Sequence, residues 1–146
     1  MKKLAIILLI LFNGCAVIFH YQPVDSNNSR TRNSFNPNDS IKLKASMDYF
    51  YYPHSLVVSL KFNNLSSTEK SIYLDSIFLL DCKRRKINYK LCKGQKDDKK
   101  IIILPNKTYE ICLNVKNYLV NLKNDSIFLK IKTNDLDFEG LFVLKE

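Results

Sequence analysis

A chain of 146 residues holds one domain comfortably and two only with difficulty. Its 46% hydrophobic and 25% charged content excludes wholesale disorder, and three glycines with four prolines exclude fibrous and low-complexity classes. The formal net charge of +9 admits a nucleic-acid partner, an anionic membrane surface or mere solubility. The lysines are scattered, which favours solubility, and an exported address, to which the amino terminus points, excludes nucleic acid.

The chain opens on a leader. Lys2-Lys3 precede an uninterrupted apolar run from Leu4 to Phe12, and Asn13-Gly14-Cys15 follow. A basic patch, a short apolar core and a small residue at a cleavage point make an export signal. The core is far shorter than the roughly 20 residues that cross hydrocarbon. Phe12-Asn13-Gly14-Cys15 resembles the lipobox of bacterial lipoproteins, in the looser form familiar from Bacteroidetes-like ones, with Phe12 and Asn13 departing from the common Leu and small residue. The resemblance implies cleavage after Gly14 and lipid attachment at Cys15. It divides the chain into a signal peptide (1–14), a lipidated cysteine with a flexible linker (15–39) and a domain (40–146). An uncleaved anchor and a soluble secreted form are the competing readings, since Ala16-Val17-Ile18-Phe19 prolong the apolar stretch. All three put the domain outside the cytoplasm. Residues 16–21 contain no acidic residue, which for a lipoprotein of this kind implies the outer membrane with the domain facing the periplasm.

From Tyr21 to Asp39 the sequence is polar and turn-rich, too poor in aliphatics to offset its ordering entropy, and reads as a tether. Period-two alternation then begins. Ile41, Leu43, Ala45 and Met47 alternate with Lys42, Lys44 and Ser46, and Leu56, Val58, Leu60 and Phe62 with Ser59 and Lys61. Further strand-like runs cover Ser71–Leu80, Ile101–Leu104, Tyr109–Val115, Ser126–Thr133 and Asp137–Leu144; Val115–Leu122 is the best short helix candidate. About seven short strands predict an all-β antiparallel sandwich. The segments VSLKFNNLSSTEKSIYL and ILPNKTYEICLNV resemble bacterial immunoglobulin-like lipoprotein domains, in which an Asn closes one strand and a Pro-containing turn opens another, although the chain has no tryptophan. That resemblance implies an immunoglobulin-like architecture and no activity.

Beyond Cys15 there are Cys82, Cys92 and Cys112. An exported location permits disulfides. A Cys82–Cys92 bridge across two adjacent strands flanking Lys83-Arg84-Arg85-Lys86 is the leading pairing, Cys82–Cys112 competes with it, and three reduced apolar cysteines are the third reading. No CxxC spacing or cysteine–histidine cluster supports a redox or metal role. His20 and His54 are the two histidines, and no nucleophile elbow, phosphate-binding glycine loop or His-Glu-x-x-His segment occurs. The expectation is therefore a non-enzyme without cofactor. Tyr49, Phe50, Tyr51, Tyr52 and His54 form an aromatic loop between the first two strands, a candidate surface for a sugar or protein partner. The reading that results is a membrane-tethered binding or accessory module for an envelope protein or polysaccharide. The alternative is a small inhibitor or immunity-type lipoprotein that neutralises a protease or toxin.

Overall fold

The computed structural model describes residues 17–24, 32–33, 40–95, 98–120 and 125–144. Cys15 and the leader lie outside the described residues, as does most of the predicted linker. Within them the chain is all-β, as the alternation predicts. Twelve strand segments occur: β1 (Ile18–Pro23), β2 (Arg32–Asn33), β3 (Ile41–Phe50), β4 (Ser55–Asn64), β5 (Lys70–Tyr73), β6 (Ile77–Leu80), β7 (Lys86–Ile87), β8 (Lys90–Leu91), β9 (Lys100–Ile103), β10 (Thr108–Lys116), β11 (Ser126–Lys132) and β12 (Asp137–Leu144). The expected count of about seven is too low for two reasons. The Ser71–Leu80 run is broken by a 3-10 turn at Leu74–Ser76, and four short strands have no alternation long enough to read. Val115–Leu122 is not a helix among the described residues: Val115 and Lys116 end β10, and a turn follows.

One antiparallel sheet runs in the order β7-β6-β11-β12-β1-β3-β4-β10-β8, with β2 added to β3, and β5 pairs with β9 in a separate ladder. The β3–β4 hairpin is its longest pairing, in register from Ile41↔Asn64 to Phe50↔Ser55. Alternate residues point inward, including Leu43 and Met47 of β3, Val58 and Phe62 of β4, Leu113 of β10, Leu129 of β11 and Phe142 of β12. Inward residues from both ends of the strand path belong to one buried cluster, so the sheet curls over on itself. Ile72, Ile101 and Ile103 of the β5–β9 ladder fill the same core. Each such side chain is worth about 1.5–3 kcal/mol when taken from water.

The predicted linker needs correction at Arg32–Asn33, which pairs with β3 at Arg32↔Ala45, and above all at its start. Residues 18–23 are not tether but a strand in the middle of the sheet, paired with β12 at Tyr21↔Leu144 and with β3 at Tyr21↔Met47. Tyr21 is fully buried and Phe19 packs against the core. The alternation of Phe19, Tyr21 and Pro23 with Ile18, His20 and Gln22 is only six residues long and merges with the apolar run of the leader. It becomes decisive only when β3 and β12 offer two open edges for it to join.

Candidate functional site

The cysteines define the first site. The disulfide joins Cys92 to Cys112, with Cα atoms 5.3 Å apart, and Cys82 is free and exposed. The expected Cys82–Cys92 bridge is thus replaced. Its premise was that the two residues face each other across a hairpin. In the structure the hairpin is β6–β7, closed at Leu80↔Lys86, so Cys82 sits in the turn itself. Cys92 instead follows β8, which pairs with β10 at Leu91↔Leu113, and the Cys92 amide donates to the Cys112 carbonyl (2.9 Å). Beyond it Gly94, at φ +92°, lets the chain turn back, and the Cys112 amide donates to Gln95 Oε1 (2.9 Å). Between this braced turn and the 3-10 segment lies a cleft of about 760 Å³ lined by Leu74, Asp75, Tyr89, Lys90, Leu91, Cys92, Lys93, Gly94, Gln95 and Lys99. The Tyr89 hydroxyl reaches the carbonyls of Leu74 (2.7 Å) and Ile77 (2.9 Å), and burial, with Asp75 nearby, pushes it up to about 12. The rim carries three lysines, so the cleft suits an acidic ligand. Sequence reasoning missed it, because the cleft joins Leu74 and Asp75 to residues 89–95 and Lys99, which only the fold brings together.

The predicted aromatic surface is divided by the fold. Tyr49 is buried, and its ring packs near Phe19 and edge-on to Tyr118. Its hydroxyl is 2.8 Å from His54 Nδ1. His54, at φ +56°, is half-buried, and its amide donates to the Tyr51 carbonyl (3.2 Å). Phe50 is half-buried. Tyr51 and Tyr52 remain exposed, Tyr52 by 81%. The fold adds residues that the sequence did not single out. The Tyr51 amide donates to the Val17 carbonyl (3.0 Å), Ile18 pairs with Phe50, and the Tyr118 amide donates to the His54 carbonyl (2.9 Å). Exposed Val17 and Ile18, and Leu119 (84% exposed), therefore share this end of the sheet.

Beneath that end is a buried polar network. The hydroxyls of Tyr21 and Tyr118 both donate to Asp125 Oδ2, the latter at 2.9 Å. Burial raises both phenols, helped by the Asp125 carboxylate, so they serve as fixed donors. His20 Nδ1 lies 2.5 Å from Asp48 Oδ1. Such a pair orients an imidazole. No group of three or more His, Cys, Asp and Glu able to hold a metal occurs among the described residues. The basic Lys83–Lys86 segment is the β6–β7 turn. Arg85 pairs with Asp81 (2.7 Å), and Arg84 lies 3.5 Å from the Phe128 ring centroid and bonds Glu139 (3.3 Å).

No protein-family model matches the chain, and no curated protein does. Among solved structures, it is similar to the crystal structure of the yjhA protein from Bacillus subtilis, with a TM-score of 0.51 and 11% sequence identity, covering 74% of this chain and 93% of that one. At that identity the likeness concerns the fold alone.

Proposed function

We propose that the protein is a lipoprotein of the cell envelope, tethered through Cys15 to the outer membrane and facing the periplasm. Its immunoglobulin-like domain is a non-enzymatic binding or accessory module for an envelope protein or polysaccharide. The leader and the Cys15 lipobox support the address. The architecture draws support from Asn64, which ends β4 and donates through Nδ2 to the carbonyls of Ile103 (2.9 Å) and Leu104 (3.3 Å), where the Pro105 turn begins. The two sequence segments that resemble immunoglobulin-like lipoprotein domains thus meet in space. The single observation that carries the binding role is the cleft beside Cys92–Cys112, with Lys90, Lys93 and Lys99 on its rim. Its ligand is acidic, either a polysaccharide with carboxylate groups or an acidic segment of a protein.

Two measurements test this reading. The intact mass of the membrane-purified chain, compared with Cys15→Ser, should show cleavage before Cys15 and added acyl chains that the variant loses. A full-length, unacylated mass removes the lipoprotein. Titration with polygalacturonate should show binding that Lys90→Glu/Lys93→Glu/Lys99→Glu weakens at least about tenfold, a difference of about 1.4 kcal/mol. Binding unchanged in that variant removes the cleft as the site.

A further inference from the structure

Tyr51 and Tyr52 stand exposed at one end of the sheet. We infer that Val17, Ile18, Tyr51, Tyr52 and Leu119 form an interfacial rim that rests in the headgroup layer of the bilayer to which the chain is attached. This rests on the tether reading above and goes beyond it, because it sets the orientation of the domain.

The first argument is the point of entry. The described chain begins at Val17, and its carbonyl is bonded to Tyr51, so the chain enters the sheet at this end. Cys15 is two residues earlier, and two residues span no more than about 7 Å. The headgroup layer on each side of a bilayer is about that thick. A lipid on Cys15 therefore leaves no spacer between β1 and the membrane surface. The second argument is composition. Tyrosines with an apolar body and a polar tip are enriched at the membrane–water boundary, and here two of them stand exposed among Val17, Ile18 and Leu119. The third is rigidity. His54 holds the loop from below through Tyr49, and its carbonyl fixes Tyr118 beside Leu119. Exposed Lys116, which ends β10 opposite Ser55, adds a cation on the same side for anionic headgroups. The cleft is elsewhere: Leu91 pairs with Leu113, and Gln95 reaches Cys112 and Glu110, further along β10 from this end.

The test uses the absence of tryptophan from the chain. Tyr52→Trp and Leu119→Trp place single reporters on the rim. Tyr109→Trp places one opposite Phe62, seven residues along β4 from Ser55 and so roughly 24 Å away. Each full chain, purified from membranes and checked by intact mass, is reconstituted in phosphatidylethanolamine–phosphatidylglycerol vesicles whose acyl chains are brominated. Emission from both rim reporters should fall about twofold or more, and emission from Tyr109→Trp should not change. With Cys15 acylated, unquenched rim reporters, or equal quenching at all three positions, overturn the orientation and leave the tether standing. Rim reporters that are shielded from iodide in native membranes but unaffected by bromolipid point to a protein occupant and likewise overturn it. Quenching of an unacylated chain by added vesicles supports the rim and removes the lipidated tether. An unacylated chain without quenching removes both.

Discussion

At the scale of single residues, the molecule invests buried polarity in a few side chains that tie distant segments together. Asn64 is fully buried, yet both ends of its amide are used: Nδ2 donates to the carbonyls of Thr68, Ile103 and Leu104, and Oδ1 accepts from the Ser66 amide and hydroxyl. Asp125 does the same for β1, accepting from Tyr21 and Tyr118 while its carbonyl takes the Leu144 amide. Removing a shared acceptor leaves the buried Tyr21 phenol unsatisfied, at about 1–3 kcal/mol, and the half-buried Tyr118 phenol at less. Asp125→Ala should therefore cost about 3 kcal/mol in urea unfolding, and Tyr118→Phe clearly less. Equal losses from the two would mean that Asp125 is not the common acceptor. None of this was legible beforehand, since Asp125 is separated from Tyr21 by 104 positions and looks like any loop aspartate.

At the scale of elements, the long strands were legible and the short ones were not. The alternation of β3, β4, β10, β11 and β12 spans seven to ten residues each. Most of their inward positions are those the sequence marks as apolar, with Ser55 and Asn64 at the ends of β4 as polar exceptions. β7 and β8 are two residues long, too short for any period to emerge, and exist because a neighbouring edge offers hydrogen bonds. β1 is the consequential case. It stands between β3 and β12, so the segment 40–146 taken alone lacks a central strand and exposes two edges. A chain beginning at Ser40 should lose cooperative thermal unfolding by circular dichroism, whereas one beginning at Cys15 should keep it. A sharp transition in the shorter chain would show that β1 is dispensable.

For the molecule as a whole, the curled sheet separates two surfaces: a rim of tyrosines where the chain enters, and a lysine-edged cleft braced by Cys92–Cys112. Exposed pairs such as Lys61–Glu110 and Lys130–Glu139 add little to this frame, because water and salt screen them. The disulfide closes a loop across 20 positions, worth about 3 kcal/mol by chain entropy. Cys112→Ser should lose about that much stability and weaken polygalacturonate binding, yet leave bromolipid quenching of Tyr52→Trp intact. If quenching falls with binding, the two surfaces are one cooperative unit and not separable.

The sequence by itself determined the class of the fold, the faces of its long strands and the expectation of an exported, lipid-bearing amino terminus. These follow from local facts: a period of two, a basic-apolar leader and a cysteine at the right distance. Only the tertiary structure decided which cysteines pair, that Ile18–Pro23 is a strand and not tether, and which of the loop aromatics remain on the surface. Those outcomes depend on which edges and faces meet after the sheet curls, and residues far apart in sequence carry no local sign of that meeting.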